Sequence, residues 1–268
     1  MRERLTPLYF GSLGSRLFGC LHQPGNTAGK AQDMGVILCA PQGHEYIQFH
    51  RALRQLALQL TGAGYSVLRF DFSGCGDSAG AEDSWGLSRW ENDLSIAIEE
   101  LKQLTRVERV GLIGLRLGAT LATQVAGQRD DVDALVLWDP VVDGAAYLNE
   151  SRAQHERMLS YAHVLPASGT AEDEILGFAL PQQLTEELQG VDLLAQHEQL
   201  VERLLLIESN DDVDQGPLRE HLSNLGTQVE HRRFSNPHLW VWVEDFGKVH
   251  VPRQILESLV SWLGEVPA

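Results

Sequence analysis

Gly114-Leu115-Arg116-Leu117-Gly118 lies between an apolar run, Val110 to Ile113, and a small-residue stretch, Ala119-Thr120-Leu121-Ala122-Thr123, whose composition and spacing predict a helix. A strand, a glycine-flanked turn and a helix in that order form the setting in which G-x-S-x-G exposes a nucleophilic serine above a sheet. The flanking glycines let strand and helix approach closely around a strained turn. Arginine stands here at the nucleophile's position. A guanidinium that stays protonated and carries only donors cannot attack a carbonyl. The turn therefore points to a fold, while its central residue denies the chemistry that usually accompanies it.

Outward from this turn, strands and helices alternate without internal repeats. Leu8–Phe10 and Leu17–His22 form a predicted N-terminal hairpin, with Gly11, Ser12, Gly14 and Ser15 as the turn, and Gly25–Asp33 is a polar surface loop. Val36–Ala40 is a buried strand, His50–Leu60 a helix with an apolar face, and Ser66–Phe70 a strand running into Asp71-Phe-Ser-Gly-Cys-Gly-Asp-Ser78. Trp90–Leu104 has helical spacing at Leu94, Ile98 and Leu101, and Ala134–Trp138 is the strand after the central helix. Asn149 to Gln199 breaks the rhythm with a polar, helix-prone segment too long for a loop, which reads as an inserted cap. The alternation resumes with Leu204–Glu208, a helix near Leu218–Asn224, the strand Val229–Phe234 and a closing amphipathic helix Val251–Leu263. This order predicts an α/β fold with a doubly wound, mostly parallel sheet, its core divided between residues 1–148 and 200–268 and its cap at 149–199. Sites in such sheets lie beyond the carboxyl ends of the strands.

Composition narrows the partners. At 268 residues the chain suits one large domain, and a net charge of −16 argues against nucleic acid or an anionic membrane surface, both of which need basic patches. Three cysteines, Cys20, Cys39 and Cys75, are too few for a disulfide framework and read as free thiols of a reducing compartment. No apolar run reaches the ~20 residues of a membrane span, and Met1-Arg-Glu-Arg-Leu-Thr-Pro7 has no signal core. The expectation is a cytoplasmic protein. Without C-x-x-C, H-E-x-x-H or G-x-x-x-x-G-K-[ST], no metal and no cofactor are expected.

Several segments together resemble the α/β-hydrolase superfamily near the serine aminopeptidase S33-like hydrolases. They are Leu8-Tyr-Phe-Gly11 with Arg16-Leu-Phe-Gly19, Ala40-Pro-Gln-Gly-His-Glu45, Arg69 to Ser78, Gly114-Leu-Arg-Leu-Gly-Ala119 and Trp138-Asp-Pro-Val-Val-Asp-Gly144. Within that superfamily the chain is most similar to the group called exosortase A system-associated hydrolase 2, whose members also carry arginine at this turn. The resemblance spans essentially the whole chain and is weakest in the cap. It implies an α/β-hydrolase fold with a helical cap, and hydrolase-type chemistry only as far as fold licenses function.

The resemblance also assigns positions. The oxyanion-hole amides would belong to Leu117 and Gln42, with Gly43 as the alternative to the latter. Their amides, a helix N-terminus and the Arg116 guanidinium would together suit an anion. The other outcome is that Arg116 folds onto a nearby acid, such as Glu45 or Asp139, and plugs the pocket. The base position follows the last strand and has two candidates. His238 has the better spacing, and His250 sits against the closing helix. The acid position falls in Ser209-Asn-Asp-Asp-Val-Asp214, where Asp212 is favoured over Asp211 by spacing and Asp139 is an alternative.

Three readings follow. The first is an enzyme acting on an acyl, ester or amide compound without a serine acyl-enzyme, with Arg116 holding an anion and His238 with Asp212 activating water. The second is an inactive hydrolase-fold protein that binds a small, anionic ligand. The third is an accessory protein of an exopolysaccharide or protein-sorting pathway. Oligomeric state is not readable.

Overall fold

The computed structural model describes residues 4–25, 32–80, 86–161, 174–210, 213–235, 240 and 251–266. Ten strands are described: β1 (Arg4–Phe10), β2 (Leu17–Gln23), β3 (Met34–Cys39), β4 (Ser66–Phe70), β5 (Arg109–Leu115), β6 (Val132–Trp138), β7 (Glu174–Ile175), β8 (Phe178–Ala179), β9 (Arg203–Glu208) and β10 (Gln228–Arg233). The helices are α1 (Gly43–Gly62), α2 (Leu87–Thr105), α3 (Leu117–Ala126), α4 (Gly144–Tyr161), α5 (Gln182–Gln189), α6 (Gly216–Asn224) and α7 (Arg253–Leu263). Eight strands form one sheet in the order β1-β2-β4-β3-β5-β6-β9-β10. β1–β2 and β2–β4 pair antiparallel and the remaining neighbours run parallel.

Both sheet faces are covered, as a mostly parallel sheet requires. On one face Ile37, Leu112, Leu135 and Leu204 pack beneath α2 and α3, contributing Trp90, Leu94, Ile98 and Leu121. On the other, Val36, Ile113, Val136 and Leu205 pack beneath α1 and α7, contributing Phe49, Leu56, Leu259 and Trp262. β5 is buried on both faces after Arg109, which is why its sequence is a continuous apolar run and not an alternation. α3, made of small and apolar residues without a charge, is buried except at Gln124. Among the described residues no helix is long and apolar enough to cross a membrane.

Three of the boundaries that differ from the sequence reading have a local physical cause. β1 begins at Arg4, running through Pro7, because it is an edge strand where a missing N–H removes no ladder bond from a neighbour. α1 begins at Gly43 and not His50, since its first turn places the polar residues His44 and Glu45 in buried positions and apolar periodicity starts only at Phe49. α4 begins at Gly144, where the Asp143 side chain accepts a hydrogen bond from the Ala146 N–H at 2.9 Å, a cap on the new helix. Asn149 thus lies inside this helix. Between β6 and β9, α4, the β7–β8 hairpin and α5 cover the strand ends.

Candidate functional site

Arg116 links β5 to α3 with φ 52° and ψ −121°, a conformation that L side chains rarely adopt. The surroundings hold it there: the Arg116 N–H donates to the Trp138 carbonyl at 3.0 Å, and its own carbonyl accepts from the Ala119 N–H at 2.9 Å. The neighbouring glycines permit the turn. A Cβ on Gly114 would collide with the backbone of Gly118 and Ala119, and one on Gly118 would collide with the carbonyls of Cys39 and Ala40.

The Arg116 side chain is 4% exposed and turns away from solvent into carboxylates. Its Nε donates to Glu45 Oε1 at 2.8 Å, and Nη2 donates to Glu150 Oε2 at 3.2 Å. Glu45, at the start of α1, is itself buried, whereas the Glu150 side chain on α4 is 38% exposed. Tyr147 and Trp240 place their rings 5.4 and 5.6 Å from the guanidinium carbon, within cation–π range. The Tyr147 hydroxyl makes a long bond of 3.4 Å to Glu45 Oε2. Burial disfavours the charge, but Glu45, Glu150 and the hydrogen bond to Glu45 outweigh it and hold the pKa above the ordinary arginine value. Arg116 is therefore a charge already compensated, joining the turn, α1 and α4.

Behind it sits Asp139, buried and at φ 43° just past β6. Its Oδ1 accepts from the Ser209 N–H at 2.8 Å. Its Oδ2 accepts from Ser209 Oγ at 2.5 Å and from the Trp240 indole N–H at 2.6 Å. Burial pushes this carboxyl above the usual range, against those hydrogen bonds. In a serine–histidine–aspartate triad a carboxylate orients an imidazole that faces the hydroxyl. Here the corresponding sequence of contacts runs from carboxylate to indole to guanidinium. An indole N–H donates only, so this arrangement contains no base. Trp240 is locked by Phe49, stacked at 4.1 Å, and by Trp138, edge-on at 5.8 Å.

A cavity of about 190 Å³ opens beside this cluster. Its floor is the strand-end loops, including Gln42, Gly43, His44, Cys75 and Leu117, and its roof is the cap, including Tyr147 and Phe178. Gln42 and Leu117 thus lie on one wall, while Arg116 is not among the residues lining it. The Cys75 thiol donates to Gln42 Oε1 at 3.2 Å, and Asp71 accepts from the Tyr46 hydroxyl at 2.9 Å and the Asp77 N–H at 3.1 Å. His44 combines three properties: it lines the cavity, it is buried, and its Nε2 has no hydrogen-bond partner among the described residues. The Trp240 backbone stands close enough to the ring to favour its protonation, against the larger effect of burial.

The structure thus brings Arg116, Glu45 and Asp139 into one cluster around Trp240, and Gln42 with Leu117 into the adjacent cavity wall. His238, His250, Asp211 and Asp212 lie outside the described residues. His44 carried no signal in the sequence, although it stands two residues after Gln42, in the first turn of α1. Glu150 and Tyr147 carried no signal, being ordinary polar and aromatic residues of a helix, α4, that no motif marks. Among the described residues no group of three or more His, Cys, Asp or Glu side chains is placed to hold a metal ion.

The sheet order, the strained turn after β5 and the inserted cap define an α/β-hydrolase fold. Solved structures agree. The Pyrococcus furiosus esterase Pf2001 is similar at 17% identity over 99% of this chain and 92% of that one, with a TM-score of 0.66. The Butyrivibrio proteoclasticus protein Est1E, in a structure with ferulic acid bound, is similar at 16% identity over 97% and 98% of the two chains, with a TM-score of 0.65. A proline iminopeptidase of Mycobacterium smegmatis is similar at 14% identity over 96% and 97%, again with a TM-score of 0.65. No curated protein matches the chain. The family model for serine aminopeptidase, S33 matches residues 31–204, and the chain belongs to that family.

Proposed function

We propose that this protein is a non-hydrolytic member of the S33 family that binds a small, largely apolar molecule beneath its cap. One observation carries the reading: the residue at the nucleophile's position is a buried guanidinium paired with Glu45 and Glu150, outside the cavity lining. The Asp139–Trp240 bond supports it, since a donor-only ring stands between carboxylate and turn. The competing reading, in which Arg116 holds a substrate anion while His238 and Asp212 activate water, needs a guanidinium facing the ligand, whereas this one is paired with two carboxylates outside the cavity lining. The resemblance to the exosortase A-associated group supports a cytoplasmic accessory role in an exopolysaccharide or protein-sorting pathway, with the ligand as its signal or cargo.

The test is incubation with a serine-directed fluorophosphonate followed by intact-mass spectrometry, alongside turnover of activated esters. The expected result is unmodified mass and no enzyme-dependent hydrolysis. A stoichiometric adduct, or turnover that scales with protein concentration, overturns the proposal.

A further inference from the structure

The cavity wall has an uneven stock of polar groups. Its Tyr46 and Tyr147 hydroxyls donate to Asp71 and Glu45, the Cys75 thiol donates to Gln42, and the Trp90 indole donates to the Ser73 carbonyl at 3.0 Å. These protons already have protein acceptors. His44 differs. Its Nε2 is buried without a partner among the described residues, in a side chain that lines the cavity. A neutral imidazole carries one N–H and one acceptor nitrogen, and Nε2 is the acceptor when the proton sits on Nδ1. Burial lowers the histidine's pKa below its ordinary value, which keeps that acceptor unprotonated. A buried acceptor without a partner is costly unless something supplies a proton donor.

Resting on the binding function proposed above, we propose that the cavity takes a neutral, ring-containing molecule bearing one hydroxyl, and that His44 Nε2 accepts the hydrogen bond from that hydroxyl. The volume sets the size. A cavity of roughly 150 Å³ accommodates benzene, so 190 Å³ admits a ring with a few further heavy atoms. The aromatic lining, including Phe70, Phe72 and Phe178, suits such a body. The Asp71 carboxylate on the same wall disfavours an anionic ligand.

The experiment compares 4-ethylphenol, its isostere 4-ethyltoluene and 4-methylbenzoate by calorimetric titration of the full chain, with the ¹⁵N resonance of His44 Nε2 followed by NMR. 4-Ethylphenol should bind roughly tenfold more tightly than 4-ethyltoluene, the worth of one neutral hydrogen bond, and should shift the Nε2 resonance in the sense of hydrogen-bond acceptance. In His44→Phe the two should bind alike. If that variant fails to fold, the wild-type ligand pair and the resonance decide the matter. Equal binding of phenol and isostere, preference for the benzoate, or no binding of any of the three overturns the inference. Equal binding would leave the apolar pocket reading intact, whereas ester turnover would overturn the non-hydrolytic reading and leave the phenol comparison standing.

Discussion

Replacing Arg116 with alanine should cost this protein a large part of its stability. The guanidinium side chain is 4% exposed and Glu45 is 1% exposed, so the substitution leaves a buried carboxylate without its cation. Breaking such a pair from one side costs about 3–5 kcal/mol. The bond to Glu150 adds little, because that side chain is 38% exposed and a solvated pair contributes below about 1 kcal/mol. Two controls isolate the electrostatic term. Arg116→Gly loses the same pair but relieves the φ of 52°, so it should be more stable than Arg116→Ala by about 1–3 kcal/mol. Arg116→Met with Glu45→Leu leaves no unpaired charge and should recover most of the loss, as buried pairs replaced by apolar residues commonly do. Urea unfolding monitored by fluorescence and circular dichroism gives the free energies. In thermal melts the alanine variant should fall by roughly 6–20 °C, at 2–4 °C per kcal/mol for a chain of this size. An alanine variant within about 1 kcal/mol of wild type, or a double variant no better than the single one, would refute the argument that Arg116 is there to compensate Glu45.

Further outcomes follow from the same geometry. Arg116→Ser alone should show no esterase activity, whereas Arg116→Ser with Trp240→His, which offers Asp139 an imidazole, should hydrolyse p-nitrophenyl acetate at least about tenfold faster than the single variant; equal rates would show that Asp139 does not orient a ring toward position 116. Gly118→Ala should destabilise by more than about 3 kcal/mol, because backbone carbonyls of Cys39 and Ala40 cannot give way; an unchanged urea midpoint would contradict that close approach. His44 has a pKa depressed by burial, with Glu45 and the Trp240 backbone opposing and Arg116 assisting. The unfolded chain therefore binds the proton more readily. Its contribution is fully present above the ordinary histidine value of 6.5 and is lost as pH falls through the depressed folded value. Urea titrations at pH 8 and pH 5 should show wild type losing more stability than His44→Leu over that interval, and parallel losses would count against the assignment.

The turn at residues 114–118 was legible because its glycines are demanded by backbone collisions, and a collision leaves a sequence signature. The sheet was legible for a related reason: β5 and β3, buried on both faces, are continuous apolar runs, while α3 is small and uncharged where it packs against them. Among the polar partnerships distant along the chain, Glu45 was a named candidate for Arg116, whereas Glu150 and the Asp139–Trp240 bond were not legible. Glu45, 71 positions from Arg116, could be named because the fold places its segment opposite the turn, while Glu150, 34 positions away in the cap, has no local pattern that pairs it. Trp240 carried no signal, since the hydrogen bond that gives it meaning runs to Asp139, 101 residues away. His44 was hidden by its own helix, whose apolar periodicity begins only after the first turn.

The pairing of Arg116 with Glu45 also bears on how such a site changes over generations. A hydroxyl cannot return to this turn by one substitution without passing through a protein that carries a stranded buried carboxylate. With a total stability of about 5–15 kcal/mol in a typical domain, a loss of about 3–5 kcal/mol takes a large share of what keeps that intermediate folded. Removing Glu45 first strands the guanidinium instead, so both orders of change cross the same valley. Asp139 and Trp240 add another coupled position beyond it. The arginine and the glutamate are therefore coupled in sequence space: either one replaced alone leaves a buried charge behind, and only a joint change avoids it.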